Sequence, residues 1–128
     1  MTASGVGRRI WAIPGGHIPL RSTGPEPERT SRDELFILNS GDAPARISLT
    51  IFYANREPVT GYTLTVGARR VRSVRFNDLI DPEAMPLDVD YGVLIVSDVP
   101  VVVQFSRIDT SGGGLAMLGT IAYPVESG

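Results

Sequence analysis

Apolar and polar residues alternate along much of the chain. From Ala45 to Ala54, Ile47, Leu49, Ile51 and Tyr53 fall on one side, and Arg46, Ser48, Thr50 and Phe52 fall on the other. Period two over this length predicts a strand with one face buried, because successive side chains leave a sheet in opposite directions. Gly61–Val66 repeats the pattern, with Tyr62, Leu64 and Val66 set against Thr63 and Thr65. Six more segments read the same way: Arg9–Ile13, Glu34–Asn39, Arg70–Phe76, Tyr91–Ser97, Val101–Ile108 and Met117–Tyr123. That makes eight short strands. Only Phe76–Ile80 suggests a helical turn.

The connections carry turn chemistry. Asn39-Ser40-Gly41-Asp42 combines residues that accept positive φ with an aspartate able to bond its own backbone. Asn55-Arg56-Glu57-Pro58 and Asp98-Val99-Pro100 are also expected to turn, because proline cannot donate to a central ladder. Many short strands with regular turns predict an all-β fold, namely a β-sandwich, jelly roll or small barrel of about eight antiparallel strands. Residues 14–32 and Ser111–Gly114 read as long loops within one domain. The domain is expected over residues 9–124, between a flexible tail at 1–8 and another at 125–128.

Two predicted strands break the alternation. Val93-Leu94-Ile95-Val96 and Val101-Val102-Val103 are apolar on both faces. Either the core and a loop cover both faces, or a second subunit does, since large exposed apolar patches are unusual on monomers. On the second reading Val93, Ile95, Val101 and Val103 are the candidate interface residues.

With 128 residues, 42% hydrophobic and 20% charged, the chain is long enough for one cored domain and too apolar to be disordered. It has no cysteine. No apolar stretch of signal-peptide length follows Arg8-Arg9, and no run approaches membrane-span length, so a cytoplasmic location is expected. The net charge of −2 is unevenly spread: residues 69–76 carry +4 and residues 77–128 carry −7.

Catalytic and metal chemistry find little support. The one histidine, His17, sits among glycines and reads as a solvated loop side chain, and no G-x-S-x-G elbow accompanies it. Gly112-Gly113-Gly114 lacks the Lys and Ser/Thr of a phosphate loop. Asp78, Asp81, Glu83, Asp88 and Asp90 are acidic without EF-hand spacing. No catalytic, cofactor or metal residue is therefore assigned. The sharpest feature is Arg69, Arg70, Arg72 and Arg75, four guanidiniums in seven positions. They predict either a surface for carboxylate, phosphate or an acidic protein, or an edge strand that uses charge to repel unwanted pairing or is salt-bridged to the acidic segment that follows.

Several blocks together resemble one family. Arg9-Ile10-Trp11-Ala12-Ile13, Gly24-Pro25-Glu26-Pro27, Ile37-Leu38-Asn39-Ser40-Gly41-Asp42, Val74-Arg75-Phe76-Asn77-Asp78-Leu79, Pro100-Val101-Val102-Val103-Gln104 and Thr120-Ile121-Ala122-Tyr123 occur in order over residues 9–123. This arrangement is similar to that of the soluble sensory rhodopsin transducers. The resemblance implies a β-sandwich of jelly-roll type and a cytoplasmic homotetramer. It also implies a role as partner of a seven-helix membrane photoreceptor, relaying its state to other proteins, with DNA a further candidate target. It supplies no catalytic residues, and the Gly112–Gly114 loop departs from the polar segment expected there. The leading expectation is a non-enzymatic signalling adaptor without cofactors that acts by protein binding. A small-ligand or carbohydrate-binding module is the alternative, with Trp11, Tyr53, Tyr62, Tyr91 and Tyr123 as candidate platforms. A DNA-binding regulator is the second alternative; only the arginine strand supports it, and the net charge opposes it.

Overall fold

A computed structural model of the chain describes residues 5–20, 31–111 and 116–125. Its eight strands are β1 (Arg8–His17), β2 (Arg32–Asn39), β3 (Ala45–Tyr53), β4 (Val59–Val66), β5 (Arg70–Arg75), β6 (Asp90–Asp109), β7 (Ala116–Ile121) and β8 (Tyr123–Val125). Every pairing is antiparallel. A 3-10 turn, Phe76–Asp78, follows β5 and buries Phe76. The strands form two layers, β4-β3-β6-β1-β8 and β5-β2-β6-β7, which share β6. The all-β expectation holds, and a β-sandwich describes the layers.

β6 is where sequence and structure differ most. A turn was expected at Asp98-Val99-Pro100, yet one strand of 20 residues runs straight through it. Tyr91–Ser97 lies between β1 and β3 in the first layer, and Val102–Ile108 pairs with β2 in the second. Pro100 falls where the strand changes partners, so its missing N–H costs no ladder bond. A strand that switches sheets at a bend makes a sandwich corner. The turn-forming side chains serve the corner instead. Asp98 accepts the backbone N–H of Arg46 at 2.8 Å, and Ser97 Oγ accepts that of Val99.

The core lies between the layers. Ile47, Leu49 and Ile51 of β3 and Leu35 and Ile37 of β2 alternate inward as their period predicts. Val93, Ile95, Val101 and Val103 join them with exposures of 3%, 0%, 0% and 0%. These four proposed interface residues are therefore core residues of the single chain. Apolar residues at outward positions of β6 include Leu94 and Val102, both half-buried, and Val96, 40% exposed.

β7 differs from every other strand of its length or longer except β5 in burying nothing. Met117, Leu118 and Ile121 are 57–68% exposed, so both faces of this short apolar strand meet solvent. At the other end of the chain, Arg8 already belongs to β1, and Val6 donates its backbone N–H to Ser40 Oγ. The Gly112–Gly114 loop, Gly24–Pro27 and the last three residues of the expected C-terminal tail lie outside the described residues.

Candidate interaction surfaces

Among the described residues β5 is an edge strand, bonded only to β2. Its register sets Arg70 opposite Asn39, Arg72 opposite Ile37 and Val74 opposite Leu35. Directly opposed residues share a face, so Arg70 and Arg72 stand side by side at the flank of the sandwich. Both are exposed, and among the described residues neither has a carboxylate partner. Arg72 Nη1 reaches across to the Thr65 carbonyl at 2.8 Å, and Arg70 Nη1 donates to the Arg69 carbonyl at 3.0 Å. A guanidinium has five donors, so most remain available to a ligand. Arg69 is placed differently. It occupies the turn before β5 with φ 53°, gives its N–H to the Gly41 carbonyl and pairs with Asp42 at 2.7 Å. Arg75 lies on the opposite face against Glu34, half-buried, with Nε enclosed and unbonded.

The acidic segment after β5 does not neutralise Arg70 or Arg72. Glu83 pairs with Arg56 at 2.8 Å, and Asp88 and Asp90 engage His17. His17 ends β1, where Nδ1 lies 2.8 Å from Asp90 and Nε2 lies 3.6 Å from Asp88. The solvated histidine expected from its glycine neighbours is thus a half-buried, paired one.

Near His17 is a buried polar cluster that the sequence did not suggest. Asp33 on β2 is wholly inside. It accepts the Tyr91 hydroxyl at 2.7 Å, Arg107 Nε at 3.0 Å and the His17 backbone N–H at 2.8 Å. Burial, and next the Asp33 charge, push the Tyr91 hydroxyl well above the ordinary tyrosine value. With three donors on one carboxylate, the cluster ties β1, β2 and β6 together. No periodicity signals such a charge, because Asp33 lies just before the predicted start of β2.

Of the five aromatic platform candidates, Trp11, Tyr62 and Tyr91 lie in the core. Trp11 Nε1 donates to the carbonyls of Val101 and Arg8, both at 3.0 Å. Tyr53 is half-buried beneath Arg56, whose guanidinium carbon sits 4.8 Å from the ring centre, and Tyr123 is 68% exposed. The first layer's outer face also carries a cleft of about 480 Å³ between Pro14 and Phe52, with Gly92 at its floor and Asp90 and Leu94 alongside. Gly92, the one residue without a side chain in an apolar run, was its signal in the sequence.

Among the described residues no helix is long and apolar enough to cross a membrane. Residues 6–124 match the family model for the Anabaena sensory rhodopsin transducer. The chain belongs to the Anabaena sensory rhodopsin transducer family. A solved structure of the Anabaena sensory rhodopsin transducer is 48% identical, with a TM-score of 0.73 over 80% of this chain and 97% of that one. A Thermotoga maritima protein of known crystal structure, numbered 1070, is 30% identical, with a TM-score of 0.80 over 95% and 98% of the two chains. A search of curated proteins finds no match. Transducer membership agrees with the ordered sequence blocks and with the sandwich they implied.

Proposed function

We propose that this transducer-family protein is a non-enzymatic, cytoplasmic signalling adaptor that relays a sensory rhodopsin's state by binding other proteins, and that it acts as a homotetramer. The observation that carries the reading is the exposed edge strand β5, where Arg70 and Arg72 share one face without a carboxylate partner among the described residues. Arg69 and Arg75 flank them, the first held by Asp42 and the second half-buried. Such a surface suits an acidic segment on the receptor's cytoplasmic side or on a downstream regulator. The test is calorimetry against the purified receptor in detergent. Arg70→Glu with Arg72→Glu should weaken binding at least tenfold and flatten its salt dependence. Affinity within twofold of the unaltered protein would leave β5 only a charge-protected edge.

A small-ligand reading has one observation in its favour, the Pro14–Phe52 cleft, whose volume is within the range of ligand sites. Chemical-shift changes confined to Phe52, Gly92 and Leu94 on adding a neutral sugar would support it.

A further inference from the structure

We propose that β5 takes its partner by strand addition: an extended acidic segment, with carboxylates at every second residue, pairs with the open edge of β5. This rests on the recognition surface proposed above and specifies how the partner is held. Among the described residues the ladder of β5 is satisfied by β2 on one side only, and no backbone hydrogen bond joins β5 to β4 on the other. Half of its main-chain donors and acceptors therefore face outward, which is the condition under which extended peptides extend a sheet.

The side chains set which segments can do so. Arg70 and Arg72 are two residues apart on one face, so an added strand meets them with side chains of the same spacing. Val71, 66% exposed, and Ser73 point to the other face. The complementary segment alternates carboxylate with a small apolar residue. A second copy of β5 is a poor occupant, because antiparallel self-pairing brings arginines against arginines, and opposed like charges destabilise a sheet. The charges that guard this edge against its own kind are those that select an acidic strand.

The probe is an acetylated, amidated heptapeptide, Val-Glu-Val-Glu-Val-Glu-Val, titrated at low salt with the full-length protein and followed by calorimetry and backbone amide shifts. Saturable binding with shifts centred on residues 70–75 is expected. An isomer with its three glutamates contiguous should bind at least fivefold more weakly, and a lysine counterpart should not bind. Arg70→Glu with Arg72→Glu should reverse the preference towards the lysine peptide. Two further derivatives, N-methylated on alternate residues in the two possible phases, keep every charge, and one of them should lose binding. If both bind within twofold of the parent peptide, or if the parent does not bind, strand addition is overturned. Receptor binding by the Arg70→Glu, Arg72→Glu protein separates the two ideas. A loss there with no peptide effect leaves the arginine surface standing and removes only the strand mode.

Discussion

A carboxylate removed from water is costly unless it is fully bonded, and Asp33 is fully buried with three donors. Tyr91→Phe removes one donor and leaves the ring packed against Phe76, 5.3 Å away between centres. A loss of about 1–3 kcal/mol is expected in urea unfolding, the usual cost of stranding a buried polar group. The same hydroxyl gives a pH signature. Its folded pKa is raised from 10.0, mainly by burial. Its contribution is therefore complete below pH 10 and falls away as pH rises beyond that, because only the unfolded chain releases the proton. Stability should decline above about pH 10, and less steeply in Tyr91→Phe. An equal slope in both proteins would place the alkaline sensitivity elsewhere. Gly16 guards the same ring, since a Cβ there would run into Tyr91. Gly16→Ala should cost about 1–3 kcal/mol by overpacking.

The strands were legible where one face is wet and one dry. β3 shows this best: its alternation in sequence is its alternation in burial. The signal misled at β6, because Asp98 and Pro100 mark a corner with the same residues that mark a turn, and only the pairing partners distinguish the two. It misled again over which apolar residues face outward. Val93, Ile95, Val101 and Val103 turn inward to the core, and the apolar residues on the outward side of the same strand include Leu94, Val96 and Val102. β7 carries the opposite lesson. Its Met117, Leu118 and Ile121 looked like ordinary strand residues, yet nothing in the described chain covers them. We place the proposed subunit contact there. Ile95→Ala, inside the core, should cost about 2–5 kcal/mol and leave the assembly's mass unchanged. Met117→Glu with Leu118→Glu should change folding little and reduce the mass measured by light scattering. The reverse pattern would return the contact to β6.

Across the whole molecule, the two proposed surfaces are separated by layer position and by charge. In the second layer β5 and β7 are opposite edges, with β2 and β6 between them. One edge carries arginine, and the other, Ala116–Ile121, carries no charge at all. Subunits joined through their β7 edges would leave each β5 edge facing outward, free for a partner. Individual exposed ion pairs are worth only about 0.2–1 kcal/mol, so one β5 surface alone would hold the proposed acidic segment weakly. Several on the proposed assembly would gain from high effective concentration, by roughly 10²–10⁴-fold when geometry allows simultaneous contact. Met117→Glu with Leu118→Glu keeps every β5 arginine while removing the proposed multivalency. On a surface densely coated with receptor, this variant should bind at least a hundredfold more weakly than the unaltered protein. To receptors isolated one per nanodisc, the two should bind alike. Equal affinity on the dense surface would mean that each β5 edge works alone, and a loss on single receptors would mean that β7 itself touches the partner.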